Sequence, residues 1–171
     1  WIDTPGALSE LSAALDGETE IAVDLEAHGY RTYSSFCCLL QISTRTSDYL
    51  VDALALRGHL DVLNSSFTNP NIVKVLHGAD TDVIWLQKDL GLHLVNLFDT
   101  GQAARVLGLE RFSLAFLLKE YCGVIANKAY QLADWRIRPL TDEMMHYARE
   151  DTHWLLYVYD VLVNALIDKG N

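Results

Sequence analysis

Three short stretches of this sequence carry side chains whose types and spacing suit chemistry. The first is Ile21-Ala22-Val23-Asp24-Leu25-Glu26. Along a strand, alternate side chains share a face, so Ile21, Val23 and Leu25 turn to the core. Asp24 and Glu26 then project together from the other face, about 7 Å apart along the chain, and repel each other. The plain alternative is a solvated strand face with incidental acids. The second stretch holds Asp80 and Asp82 near a helix start, where acids meet free N–H groups and the positive end of the dipole. Asp80 or Thr81 is the candidate cap, and Asp82 lies further into the first turn. The third is Tyr147 with Asp151, positions i and i+4 and therefore on one helix face. Its alternative is a half-buried tyrosine beside a surface acid. Glu150 faces elsewhere.

The elements that position these residues follow from hydrophobic period and punctuation. A helical segment over 9–15 precedes a strand over 20–26. Strands over 37–43 and 48–52, joined by the turn-like 44–47, complete an antiparallel meander. Helical periodicity covers 54–63. A buried strand at 72–76 leads into a helix over 81–90, and a short strand at 94–98 follows. Asp99 caps a helix that runs to Leu107, and Ser113 opens another over 113–121. The last element, over 142–167, is one long helical stretch with room for one kink or break. Pro5, Pro70 and Pro139 fall at element starts or in loops. An early meander followed by crossovers predicts an α/β domain, a mixed sheet covered by helices.

Length and composition narrow the function. A chain of 171 residues, 50% hydrophobic, suits a single domain over 1–171 with a sizeable core. It opens on Trp1 rather than Met, so a domain cut from something longer is expected. No apolar run approaches the roughly 20 residues that span a bilayer, so no membrane partner is expected. Thirteen Lys and Arg against 23 Asp and Glu leave a net charge of −10. That balance speaks against a simple nucleic-acid-binding module with a basic face, unless carboxylates hold divalent cations that supply positive charge locally. The three cysteines, Cys37, Cys38 and Cys122, lack metal-ligand spacing, and buried thiols in a reducing, intracellular compartment are expected. No Gly-x-Ser-x-Gly elbow or phosphate-binding glycine loop competes for the function.

The order of the motifs adds more than any one of them. Asp-x-Glu on a strand, Asp in a strand-turn-helix and Tyr-x-x-x-Asp on a late helix resemble the ribonuclease D branch of the DEDD exonuclease superfamily. The subgroup is the one with tyrosine in its last motif. Leu40-Gln41-Ile42-Ser43-Thr44, His77-Gly78-Ala79-Asp80-Thr81-Asp82, Leu97-Phe98-Asp99-Thr100 and Ala133-Asp134-Trp135-Arg136-Ile137-Arg138-Pro139-Leu140 resemble the same branch. Tyr30-Arg31-Thr32-Tyr33 and residues 41–45 look most like its nuclear, exosome-associated exoribonucleases. The family places its third acid five residues after a histidine, which selects Asp82 over Asp80.

The resemblance implies a ribonuclease H-like mixed five-stranded sheet flanked by helices. It implies a 3′→5′ exoribonuclease that releases nucleoside 5′-monophosphates, with Asp24, Glu26, Asp82 and Asp151 as ligands for two divalent cations. Four carboxylates without Cys or His suit Mg²⁺ or Mn²⁺, and two such ions about 3.5–4 Å apart stabilise both the attacking and the leaving oxygen. Asp24 would bridge the ions, and Tyr147 would align the attacking water. Lys128, Arg136, Arg138, Arg149 and, more weakly, Arg31 are the candidate cations for substrate. Trp85, Tyr130 and Trp135 are the aromatics that could stack on a base, with core packing expected of the two tryptophans. His28 and His77 are expected to hydrogen-bond or pack rather than bind metal. The implied partners are single-stranded RNA 3′ ends, the RNA exosome core and its associated factors, in the nucleus or nucleolus. An adjoining helical nucleic-acid-binding domain is implied too. A DNA 3′→5′ exonuclease and an inactive nucleic-acid-binding domain on the same fold are the alternatives.

Overall fold

The computed structural model describes residues 1–29 and 35–170; the stretch Tyr30-Arg31-Thr32-Tyr33, with Arg31 as a substrate candidate, lies outside them. Strands β1 (Glu20–His28), β2 (Phe36–Ser43), β3 (Asp48–Asp52), β4 (Val73–Leu76) and β5 (Leu97–Asp99) form one sheet in the order β3-β2-β1-β4-β5. The first three pair antiparallel, as a meander does. β4 and β5 join in parallel through crossovers, so the sheet is mixed and β1 is central.

Helices cover both faces. Ile21, Val23, Leu25, Leu40 and Ile42 pack against Leu8, Leu11 and Leu15 of α1 (Pro5–Leu15) and Leu86 and Leu90 of α3 (Asp80–Leu90). On the other face, Cys38 and Leu39 lie beneath Trp135, Leu140 and Met144 and Ala148 of α6 (Asp142–His153). Ala22 and Val75 lie beneath Leu155 and Leu156 of α7 (Leu155–Asp168), whose Val158 and Leu162 pack against Leu117 and Leu118 of α5 (Leu114–Cys122). Cys37 and Cys38 fall in opposite cores, as strand alternation requires, and all three cysteines are free thiols. β1 is therefore sandwiched, and Asp24 and Glu26 emerge on the α6 face. None of the helices described is long and apolar enough to cross a membrane.

Several boundaries differ from the sequence reading. α1 begins earlier, with Pro5 at its first position and the Thr4 side chain accepting from the Ala7 N–H. The helix expected over 54–63 is instead a run of turns, then a 3₁₀ turn at Leu60–Leu63 and the single-turn α2 (Asn64–Phe67). Gly58 sits at φ +87°, outside any helix, while the Asp52 carboxylate takes the N–H groups of Leu54 and Ala55 and sets the turn. Buried Leu56, Leu60 and Leu63 produced the periodicity without the conformation. β5 is shorter than 94–98 because Asn96 has φ +64°, which cannot continue a strand. The final stretch does break once, at Trp154 between α6 and α7.

Candidate active site

Alternation along β1 buries Ile21, Val23 and Leu25 and leaves Asp24 and Glu26 half-buried together. A β-bulge follows at once: Glu26 pairs with Leu39 and Ala27 with Cys37, so Cys38 is the extra residue. Such a bulge twists the strand locally and re-aims the side chains beside it.

α6 is laid over β1, β2 and β3 by contacts distant in sequence. Thr141 caps its start, accepting from the Met144 N–H. Arg149 and His153 both reach Asp48 of β3, at 2.6 and 2.8 Å. With that side of the helix tied to β3, the face carrying Tyr147 and Asp151 turns toward β1. One ligand oxygen from each of Asp24, Glu26 and Asp151 lies within 4.8 Å of the others. Tyr147 stands one turn before Asp151, wedged between Trp135 and Tyr130 with ring centroids 5.9 and 5.8 Å away.

Asp82 arrives from the start of α3, whose cap is not the one expected. Neither Asp80 nor Thr81 caps it: Ala79 holds the N-cap position with no side-chain bond. The Asp99 carboxylate accepts from the N–H groups of Gly78 and Ala79, and also from Gly101 and Gln102 at the start of α4 (Thr100–Leu107). One acid thus ties two helix starts together beside the site. Burial works against its charge, yet those four N–H groups outweigh burial and hold Asp99 below the usual carboxylate range.

Burial and mutual repulsion set the electrostatics of these acids. Burial first, then the charges of Asp24 and Asp151, push Glu26 up to about 9. Burial, then Asp24 and Asp99, raise Asp82 to about 7. Asp24 and Asp151 are raised too, chiefly by burial, then Asp24 by Asp151 and Asp151 by Glu150. Burial and the neighbouring acids also raise the Tyr147 phenol, which keeps its proton at neutral pH. A converging, oxygen-only donor set with this much mutual repulsion fits hard divalent cations, which relieve it directly.

Asp24, Glu26, Tyr147 and Asp151 share a cleft of about 330 Å³ with Lys128, Asn127, Gln131 and Ser113. Tyr130 lines an adjoining hollow with His146 and Glu150. The other predicted substrate cations go elsewhere. Arg138 is a correction: it grips Asp52 through two N–H groups at 2.8 and 2.9 Å and bonds the carbonyls of Cys38, Trp135 and Ile137. Arg149 is another, committed to Asp48 on the side of α6 that turns away from Tyr147. Both guanidiniums hold the fold. Arg136 is exposed and forked onto Asp134, beside a hollow formed with His28 and Gly29. His77 hydrogen-bonds Thr100, and His28 is buried, 3.7 Å from Asp134 and packed against the Phe36 ring. Trp135 is buried and Trp85 packs on the α3-side core. Asn127, Gln131 and the double-capping Asp99 escaped the sequence reading; for Asp99 only its local cap on α4 was legible.

A protein-family model described as 3′-5′ exonuclease matches residues 1–167. Exosome complex component 10 of Rattus norvegicus is 60% identical over 164 residues, which is 96% of this chain and 18% of the rat protein. The chain therefore spans about a fifth of the length of that curated relative. The crystal structure of the catalytic core of RRP6 from Trypanosoma brucei superposes with a TM-score of 0.96 at 53% identity, over 99% of this chain and 47% of that one. Escherichia coli RNase D, an exoribonuclease involved in structured RNA processing, gives a TM-score of 0.91 at 29% identity, over 99% of this chain and 45% of that one. The sheet order and helical layers are thus those of the ribonuclease H-like fold in its RNase D form. With this match over nearly every residue, and Asp24, Glu26 and Asp151 brought together, the chain belongs to the 3′-5′ exonuclease family.

Proposed function

We propose that this chain is one exonuclease domain that hydrolyses single-stranded RNA from its 3′ end and releases nucleoside 5′-monophosphates. The convergence of Asp24, Glu26 and Asp151 within 4.8 Å, with Tyr147 one turn away in an open cleft, carries the reading. RNA rather than DNA follows from the likeness to RNase D and to exosome component 10. Association with the nuclear exosome rests on the same relatives.

Asp24, Glu26 and Asp151 would hold one divalent cation, and Asp24 and Asp82 a second, Mg²⁺ or Mn²⁺. Bound there, the cations neutralise charge on the phosphoryl group and on the attacking and leaving oxygens. The chain's own residues do the rest. Tyr147 keeps its proton and so orients the attacking water by a hydrogen bond rather than acting as its base. Trp135 and Tyr130 fix the ring, so orientation is set before substrate arrives. Lys128 contributes a cation to the cleft wall for the RNA backbone, and Tyr130 and Arg136 flank the path beyond it.

The test is decay of an end-labelled linear RNA by the purified chain, with matched DNA and circular RNA beside it. Mononucleotide release from linear RNA, lost in chelator and restored by Mg²⁺ or Mn²⁺, is expected. Activity in excess chelator would sink the metal reading. Preference for DNA, or rapid cutting of the circle, would sink the exoribonuclease.

A further inference from the structure

Gln41 is fully buried on β2, yet it is a polar residue in a run of apolar ones. It pairs directly across the sheet with Asp24, so its side chain stands on the same face as the acids. Glu26 pairs with Leu39, which makes Gln41 its diagonal neighbour, within reach of a long side chain. The Gln41 Nε2 donates to Glu26 Oε1 at 3.3 Å. Its Oε1 has no hydrogen-bond partner among the described residues. With Glu26 ionised, turning the amide over would set two acceptors against each other. A buried amide with an unmatched acceptor is an unfavourable thing to keep in a core, and the one side-chain bond that it makes among the described residues is to Glu26.

We infer that Gln41 is a positioning residue that holds the Glu26 carboxylate in its metal-ready orientation. The inference rests on the proposed function above. Glu26 has the longest side chain of the converging acids, and its neighbours repel it. Without a restraint it would swing toward solvent whenever the cations leave. The restraint must come from a donor without charge, because a Lys or Arg at that place would neutralise the acids and compete with the cations. A carboxamide anchored in the sheet core meets both conditions. Hydrogen-bond partners behind a ligating carboxylate typically affect metal affinity or activity by about 10–100-fold.

The experiment compares wild type with Gln41→Met, similar in length and volume but apolar, and Gln41→Asn, which keeps the amide one methylene short of Glu26. Mn²⁺ affinity is read by electron paramagnetic resonance, melting temperature in chelator, and kcat separately from KM. Gln41→Met is expected to melt at or above the wild-type temperature, since it removes the unmatched acceptor. It should bind Mn²⁺ about tenfold or more weaker and lose kcat with KM for RNA little changed. Gln41→Asn should show the same loss of affinity. Wild-type Mn²⁺ affinity in both variants would overturn the inference alone. So would losses of affinity that merely track a lowered melting temperature. Absence of Mn²⁺ binding in the wild type would overturn the proposed function first, and this inference with it.

Discussion

Glu26→Gln should make the cation-free protein more stable and less dependent on pH, while removing most of what cations add. Burial and the charges of Asp24 and Asp151 hold Glu26 at about 9 in the folded chain, against an ordinary 4.5. A carboxyl raised in this way contributes stability that is complete below about pH 4.5 and is lost as pH rises toward 9. Neutral pH lies about 2.5 pH units into that window. At about 1.4 kcal/mol per unit, the folded protein at pH 7 is on the order of 3 kcal/mol less stable than at low pH through this group alone. For a domain of this size that corresponds to roughly 6–12 °C in melting temperature. The measurement is thermal melting in chelator at pH 5 and pH 8, for wild type and Glu26→Gln, repeated with Mn²⁺. Wild type should melt lower at pH 8 than at pH 5, and the variant should lose several degrees less. Mn²⁺ should restore the wild type at pH 8 and do little for the variant. Identical pH dependence in the two proteins, or equal Mn²⁺ stabilisation, would show that Glu26 is neither strained nor a ligand.

Asp82→Asn should cost orders of magnitude in kcat. Asp80→Asn should leave both kcat and stability within about 0.5 kcal/mol of wild type, because Asp80 is exposed and caps nothing; parallel turnover and melting assays decide the ranking. Tyr147→Phe keeps the ring between Trp135 and Tyr130 and removes only the hydroxyl. Single-turnover rates should fall roughly 100-fold, with RNA affinity in Ca²⁺ nearly unchanged. Equal rates would make Tyr147 a packing residue. Arg138→Ala strands the buried Asp52 carboxylate and should cost about 2–3 kcal/mol, read as a melting shift of several degrees in chelator, with little effect on RNA affinity per folded molecule. Weaker RNA binding at unchanged stability would return Arg138 to the substrate path.

The features legible in the sequence are those that local geometry settles. Alternation put Asp24 and Glu26 on one face because a strand has a period of two, and Tyr147 with Asp151 because a helix brings i and i+4 together. Asp99 and Ser113 read as caps because a cap bonds N–H groups only two or three residues away. The order of the motifs carried the resemblance, and with it Asp82, which no local rule distinguishes from Asp80. What the tertiary structure decided depends on partners far along the chain. Arg138 and Arg149 look in sequence like free cations, but their acids lie 86 and 101 residues away, on the third strand. Asp99 caps a second helix start 20 residues before it, a pairing that only the packing of the fourth and fifth strands creates. Gln41 gains its meaning from register, since it faces Asp24 only once the first two strands have paired. Leu56, Leu60 and Leu63 show the converse limit. Burial imposes a hydrophobic rhythm on any segment laid against a core, so periodicity reports where a chain is covered, whereas Gly58 at positive φ decides which backbone does the covering.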